Sequence, residues 1–139
     1  MKRSVEKTRQ LLHRLAREVV RGYAAAAMLA SGFVGAAALL EEETRNEDAE
    51  DAEMSADDEL GRMRRSIHRA TTFVLDRPHS ADSERALVVL FAAEEAVAMA
   101  NAADPTEAHV QQLLRTAAVA AEVADRPRNE RLRERLRET

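Results

Sequence analysis

Apolar residues recur every three or four positions along most of the chain, which is the repeat of one face of an α-helix. The first such stripe runs through Val5, Leu12, Leu15, Val19, Tyr23, Ala26, Ala30, Phe33, Val34, Ala37 and Leu40. It predicts a helix from Ser4 to about Glu43, roughly 60 Å long for about 40 residues, with Gly22, Gly32 and Gly35 as its bending points. A second stripe, Leu60, Met63, Ile67, Ala70 or Thr71, and Val74, follows Ser55 as a cap and Asp57 and Asp58 at the positive end of the helix dipole. Pro78 disfavours the helical region for its predecessor, so this helix is expected to stop at or before Arg77.

A third helix is expected from Ser80 to about Ala103, with Asp82 and Glu84 in its first turn. Asp104, Pro105 and Glu107 then form a start signal: a cap, a proline at the first helical position, and an acid three residues after the cap. The fourth helix carries Val110, Leu113, Leu114, Ala117 and Ala121 to about Ala124. Pro127 is expected to interrupt it, leaving Arg128 to Glu138 as a short charged helix with one apolar pair, Leu132 and Leu136. The expected fold is all-α: an antiparallel four-helix bundle with a long N-terminal helix and a short charged C-terminal helical extension. Residues 1–125 make one domain, with 41–55 as an acidic connecting loop, and 126–139 form the Arg/Glu-rich extension.

Composition agrees with helices. Ala occupies 28 of the 139 positions and Phe, Tyr and Trp together four, too few β-branched and aromatic residues for a sandwich or barrel. The chain has no Cys, which excludes disulfides, thiolate metal sites and a Cys nucleophile. A net charge of −4 conceals strong unevenness. Residues 1–21 hold seven bases and two acids, 41–59 eleven acids and one base, 60–75 four Arg and no acid, and 126–138 six Arg and three Glu.

Between Gly22 and Leu40 lie 19 residues without a charge, with bases before and acids after, which matches the length and flanks of a membrane span whose N-terminus stays inside. Eight of the 19 are Ala, however, and insertion is driven by Leu, Ile, Phe and Val. The stripe also continues through the run without a phase break, so a buried or dimerising helix is expected instead. Small residues recur four apart at Gly22, Ala26 and Ala30, and at Ala27, Ser31 and Gly35, a spacing that lets helix backbones approach closely. Residues 86–93 of the third helix are apolar on every side and require cover. A homodimer through the first and third helices provides it, with Ala26, Ala30, Ser31, Gly35, Val89 and Ala93 as the candidate self-association residues.

Candidate chemistry is sparse. A di-iron bundle needs Glu-x-x-His pairs, but Gln10, Arg65 and Thr106 precede His13, His68 and His109 by three, and Pro78 separates Asp76 from His79. No metal or other cofactor is expected. Glu94 and Glu95 interrupt an apolar run, and one of them is expected to face the bundle and pair with an Arg of the second helix or with Arg115. Arg62, Arg65 and Arg69 share a helical face bordered by Arg64 and His68, while Met63 and Ile67 point to the core. Arg's planar fork of donors suits phosphates or carboxylates. The eleven upstream acids are an internal candidate to neutralise this face.

Arg62 and His68, with five residues between them, also resemble the Arg-x(4 to 6)-His element of the HEPN ribonuclease superfamily. That resemblance implies a small, helical, often dimeric ribonuclease whose Arg and His meet at the interface. It covers seven residues, has Met63 where the family commonly has a polar residue, and sits in the second helix rather than a late one.

The function expected is a non-enzymatic helical interaction or assembly protein of the cytoplasm that self-associates and binds a protein partner through charged surfaces. Those surfaces comprise Arg62, Arg64, Arg65, His68, Arg69, Arg128, Arg131 and Arg135. The alternatives are a nucleic-acid-contacting subunit of a larger complex, distinguished by steep salt dependence, and a single-pass inner-membrane protein spanning 22–40.

Overall fold

A computed structural model describes residues 4–41 and 56–138, with backbone alone for residues 56, 57 and 127–133. Every regular element among the described residues is a helix. Helix α1 spans Val5–Arg17; Ser4 caps it in an extended conformation, its hydroxyl accepting the Lys7 N–H at 3.2 Å. The backbone continues without interruption into π-helical turns over Glu18–Ala24 and then α2, Ala25–Ala30, so the three form one rod.

The π turns alter the predicted stripe. Leu12, Ala16, Val20, Ala24 and Met28 are all buried at a constant spacing of four. In a 3.6-residue helix each such step overshoots a full turn by about 40°, and the wider π turns absorb that drift. As a result Tyr23 and Ala26, expected on the buried stripe, are exposed.

The rod ends well before Glu43. Gly32 adopts a φ of 85°, its N–H donates to the Leu29 carbonyl at 3.1 Å, and the Phe33 N–H donates to Met28 at 2.8 Å. These two bonds make a Schellman terminator, which needs a residue free of the Cβ penalty at positive φ. A separate helix, α3, then occupies residues 34–41. Of the three glycines expected to bend one long helix, Gly32 ends it, while Gly22 lies inside the π turns and Gly35 inside α3. The uncharged run is thus broken in the middle, and no helix among the described residues is long and apolar enough to cross a membrane.

Helix α4, Ala56–Leu75, follows the prediction closely: Leu60, Met63, Ile67, Ala70 and Val74 are all buried. Helix α5, Ala81–Ala100, opens on a capping box. The Ser80 hydroxyl accepts the Ser83 N–H at 3.1 Å, and the Ser83 hydroxyl accepts the Ser80 N–H at 2.8 Å. Helix α6, Glu107–Glu138, departs from prediction at two places. Its cap is Thr106 rather than Asp104: the Thr106 hydroxyl accepts the His109 N–H at 3.3 Å, and His109 Nδ1 accepts the Thr106 N–H at 3.1 Å. This is a capping box closed by an imidazole in the role usually played by Glu.

The second departure is at Pro127, which does not interrupt the helix, so the C-terminal extension is continuous with α6 rather than a separate short helix. A proline deletes one backbone hydrogen bond and crowds the carbonyl four residues earlier, which a long helix tolerates by bending.

Helix α5 packs against α1, α4 and α6, while the π turns and α2 pack against α6. Ala16, Ala27, Ala86, Ala93, Ala96 and Ala120 are fully buried between helices, where short side chains let the backbones close up around Leu12, Met28, Leu90 and Leu113. Gly35 serves the same end. A Cβ there would run into the ring of Phe73 on α4, which also carries the Arg77 guanidinium 3.4 Å from its centroid.

Candidate interaction surfaces

The basic face of α4 is exposed as its periodicity implies. Arg64, Arg65, His68 and Arg69 point to solvent, Arg62 is half-buried, and Met63 and Ile67 are in the core. None of the four exposed side chains makes a hydrogen bond or ion pair with a described residue. The expected masking of this face by the acidic segment concerns residues 42–55, which lie outside the described residues. The acid at the segment's far end, Glu59, pairs elsewhere. Both its oxygens accept from Arg17 of α1, Oε2 at 2.9 Å from Nη2 and Oε1 from Nε. The Arg17 hydrogen bond holds Glu59 below the usual carboxylate range against the opposing effect of burial, and Arg17, Arg21 and His13 add favourable charge. His13, Arg17 and Arg21 recur four apart along the rod, and Arg21 Nη1 also donates to the Leu40 carbonyl at 3.4 Å. Glu59 and the Leu40 carbonyl, on the two described flanks of the acidic segment, thus meet the rod.

The candidate self-association residues separate into two groups. Val89 and Ala93 are fully buried within the chain and Ser31 is buried, so their surfaces are already covered. Gly35 is occupied by Phe73. Ala26 is exposed and Ala30 half-buried, and these two remain accessible on the rod.

A different apolar surface lies on α5 and α6. Val88 and Phe91 on α5 are 53% and 63% exposed, and Val119 on α6 is 40% exposed. Gln112 of α6 donates to Glu95 of α5 at 2.5 Å, and Glu122 and Val123 line a groove of about 420 Å³ with Ala81, Glu84, Arg85, Val88 and Arg126. These contacts set α5 and α6 antiparallel, with Val88 level with Val119. Apolar spacing marks residues 86–93 as apolar all round but not which side stays open. That depends on where α4, α6 and the rod pack, which no local spacing encodes.

Neither Glu94 nor Glu95 is buried, and Glu95 has an amide partner, Gln112, in place of the expected arginine. Arg62 and His68 are six residues apart on one continuous helix, so they project about 120° apart around α4 and do not converge within one chain. Among the described residues no group of three or more His, Asp or Glu is placed to hold a metal ion. Of the C-terminal candidates, the side chains of Arg128 and Arg131 lie outside the described set, and Arg135 is exposed on the last turns of α6. No protein-family model matches the chain, and no curated protein or solved structure is significantly similar to it.

Proposed function

We propose that this chain is a non-enzymatic helical interaction protein that self-associates and binds an acidic protein partner through arginine-rich surfaces. Its scaffold is an antiparallel four-helix bundle made of the Val5–Ala30 rod, α4, α5 and α6. The observation that carries the reading is the outer face of α4, where Arg64, Arg65, His68 and Arg69 are solvent-exposed without a described internal counter-charge. Keeping several cations together on a rigid helix costs mutual repulsion, which a carboxylate-bearing partner relieves. Arg supplies bidentate recognition that Lys does not.

A protein partner is favoured over single-stranded nucleic acid by the aromatic inventory. Base stacking needs accessible rings beside the cations. Phe73 of α4 is half-buried against Gly35 with Arg77 stacked on it, while Phe91 is on α5, Tyr23 on the rod and Phe33 just after it, none of them on the outer face of α4. The test is a titration of the full chain with a poly-glutamate peptide and with single-stranded DNA of matched charge, at low and physiological salt. The proposal expects the peptide to bind at both salts and the DNA only at low salt. Tight DNA binding that persists at physiological salt with a steep salt slope would overturn it in favour of nucleic-acid contact.

A further inference from the structure

The entrance to α6 is closed by a titratable ring. In the usual capping box the residue three positions after the cap is Glu or Gln, whose side-chain oxygen remains an acceptor through the range in which imidazoles titrate. Here that residue is His109, and the acceptor is its Nδ1, 3.1 Å from the Thr106 nitrogen. The same Nδ1 lies 3.0 Å from the Thr106 hydroxyl, whose oxygen accepts the His109 N–H at 3.3 Å. A ring nitrogen accepts a hydrogen bond only while it carries no proton. Accepting the Thr106 N–H therefore requires a neutral imidazole with its hydrogen on Nε2.

We propose that the α6 entrance is a pH-sensitive latch, closed by neutral His109 and loosened when the ring is protonated. Protonation acts in two ways. Nδ1 becomes a donor, so the Thr106 N–H loses its acceptor, although the ring still donates to the Thr106 hydroxyl. It also sets a positive charge in the first turn of α6, where the helix dipole is already positive. The cap's contribution is thus present above the imidazole range and is lost as pH falls through it.

The surrounding charges do not reward protonation of the ring. Glu107 shares its turn but is engaged with another residue, and Asp104 is exposed in the connection before the cap. Among the elements packed against α6, α2 and the last turn of α5 carry no ionisable residue, and the π turns carry Glu18 and Arg21. From α1, Arg9 reaches the same connection, its Nη2 donating to the Ala103 carbonyl at 3.5 Å. None of the described residues forms an ion pair with His109. The start of α5 behaves oppositely: His79 lies 3.0 Å from Glu84, a contact that protonation strengthens. Pro105 is buried, so the chain stays anchored just before the latch and the loosening is confined to the first turn of α6. This device acts whether or not the protein self-associates or holds an acidic partner.

The experiment compares the full chain with His109→Gln, which accepts the same N–H without titrating, in thermal melts at pH 7.5 and pH 5.0 and by hydrogen exchange of the Thr106 amide. The remaining histidines are common to both proteins and cancel in the comparison. The two are expected to melt within about 2 °C of each other at pH 7.5, and wild type to fall about 3–5 °C relative to the variant at pH 5.0. At pH 5.0 the Thr106 amide should exchange at least about fivefold faster in wild type than in the variant, while the middle of α5 exchanges alike in both. An equal response of the two melts to pH would overturn the proposal. So would a Thr106 amide equally protected in both proteins at pH 5.0.

Discussion

At the scale of single residues, the structure depends on two side-chain arrangements that its surroundings make unforgiving. Gly35 lies against the Phe73 ring, and Phe73 is also held by Arg77, whose guanidinium stacks on the ring and whose Nη1 donates to the Phe73 carbonyl at 3.0 Å. The ring has little room to retreat, so Gly35→Ala is expected to destabilise the fold by about 1–3 kcal/mol through overpacking, read as a lower denaturation midpoint. The second arrangement is Arg17 with Glu59. Because the folded state lowers the Glu59 pKa, the pair stabilises the protein above the unfolded carboxylate range and ceases to do so as pH falls through the folded value. Glu59→Gln should therefore cost about 1 kcal/mol at pH 7 and become neutral only as pH falls through the folded value, below the usual carboxylate range. A deficit of equal size above and below that value would show that the loss is one of packing rather than of charge.

Elements show most clearly what the residue pattern conveyed and where it stopped. Helix α4 was legible because its large apolar residues are separated by charges, so phase and face are both marked, and Pro78 limits its end. The rod was not. From Gly22 to Leu40 no charged residue marks a phase among the alanines, and neither the π turns nor the Schellman bonds after Met28 have a signature in apolar spacing. The α6 start was legible only to within two residues, because Asp104 and Thr106 both offer a capping oxygen with a polar side chain three positions later. Pro105 is buried against the bundle and Asp104 is exposed, which leaves Thr106 at the helix entrance. Thr106→Ala is accordingly expected to cost about 1 kcal/mol in thermal unfolding, whereas Asp104→Ala should stay within about 0.5 kcal/mol. Reversed costs would restore the earlier boundary. The same limit applies to the candidate surface: the α4 arginines could be found from periodicity, but the exposure of Phe91 and Val88 is decided by neighbours distant in sequence.

For the whole molecule, the exposed apolar residues of α5 and α6 and the exposed arginines of α4 lie on different helices. The α5–α6 side carries exposed Val88, Phe91 and Val119 among balanced charges, and the outer side of α4 carries arginines. The central claim is that the exposed arginines of α4 bind an acidic protein surface. Charge reversal at Arg65 and Arg69, two exposed positions outside the core, tests it most directly. Titrated with a poly-glutamate peptide at physiological salt, the doubly reversed variant is expected to bind at least tenfold more weakly than wild type, by about 1.4 kcal/mol or more, with an unchanged melt. Equal affinity of variant and wild type would contradict the account.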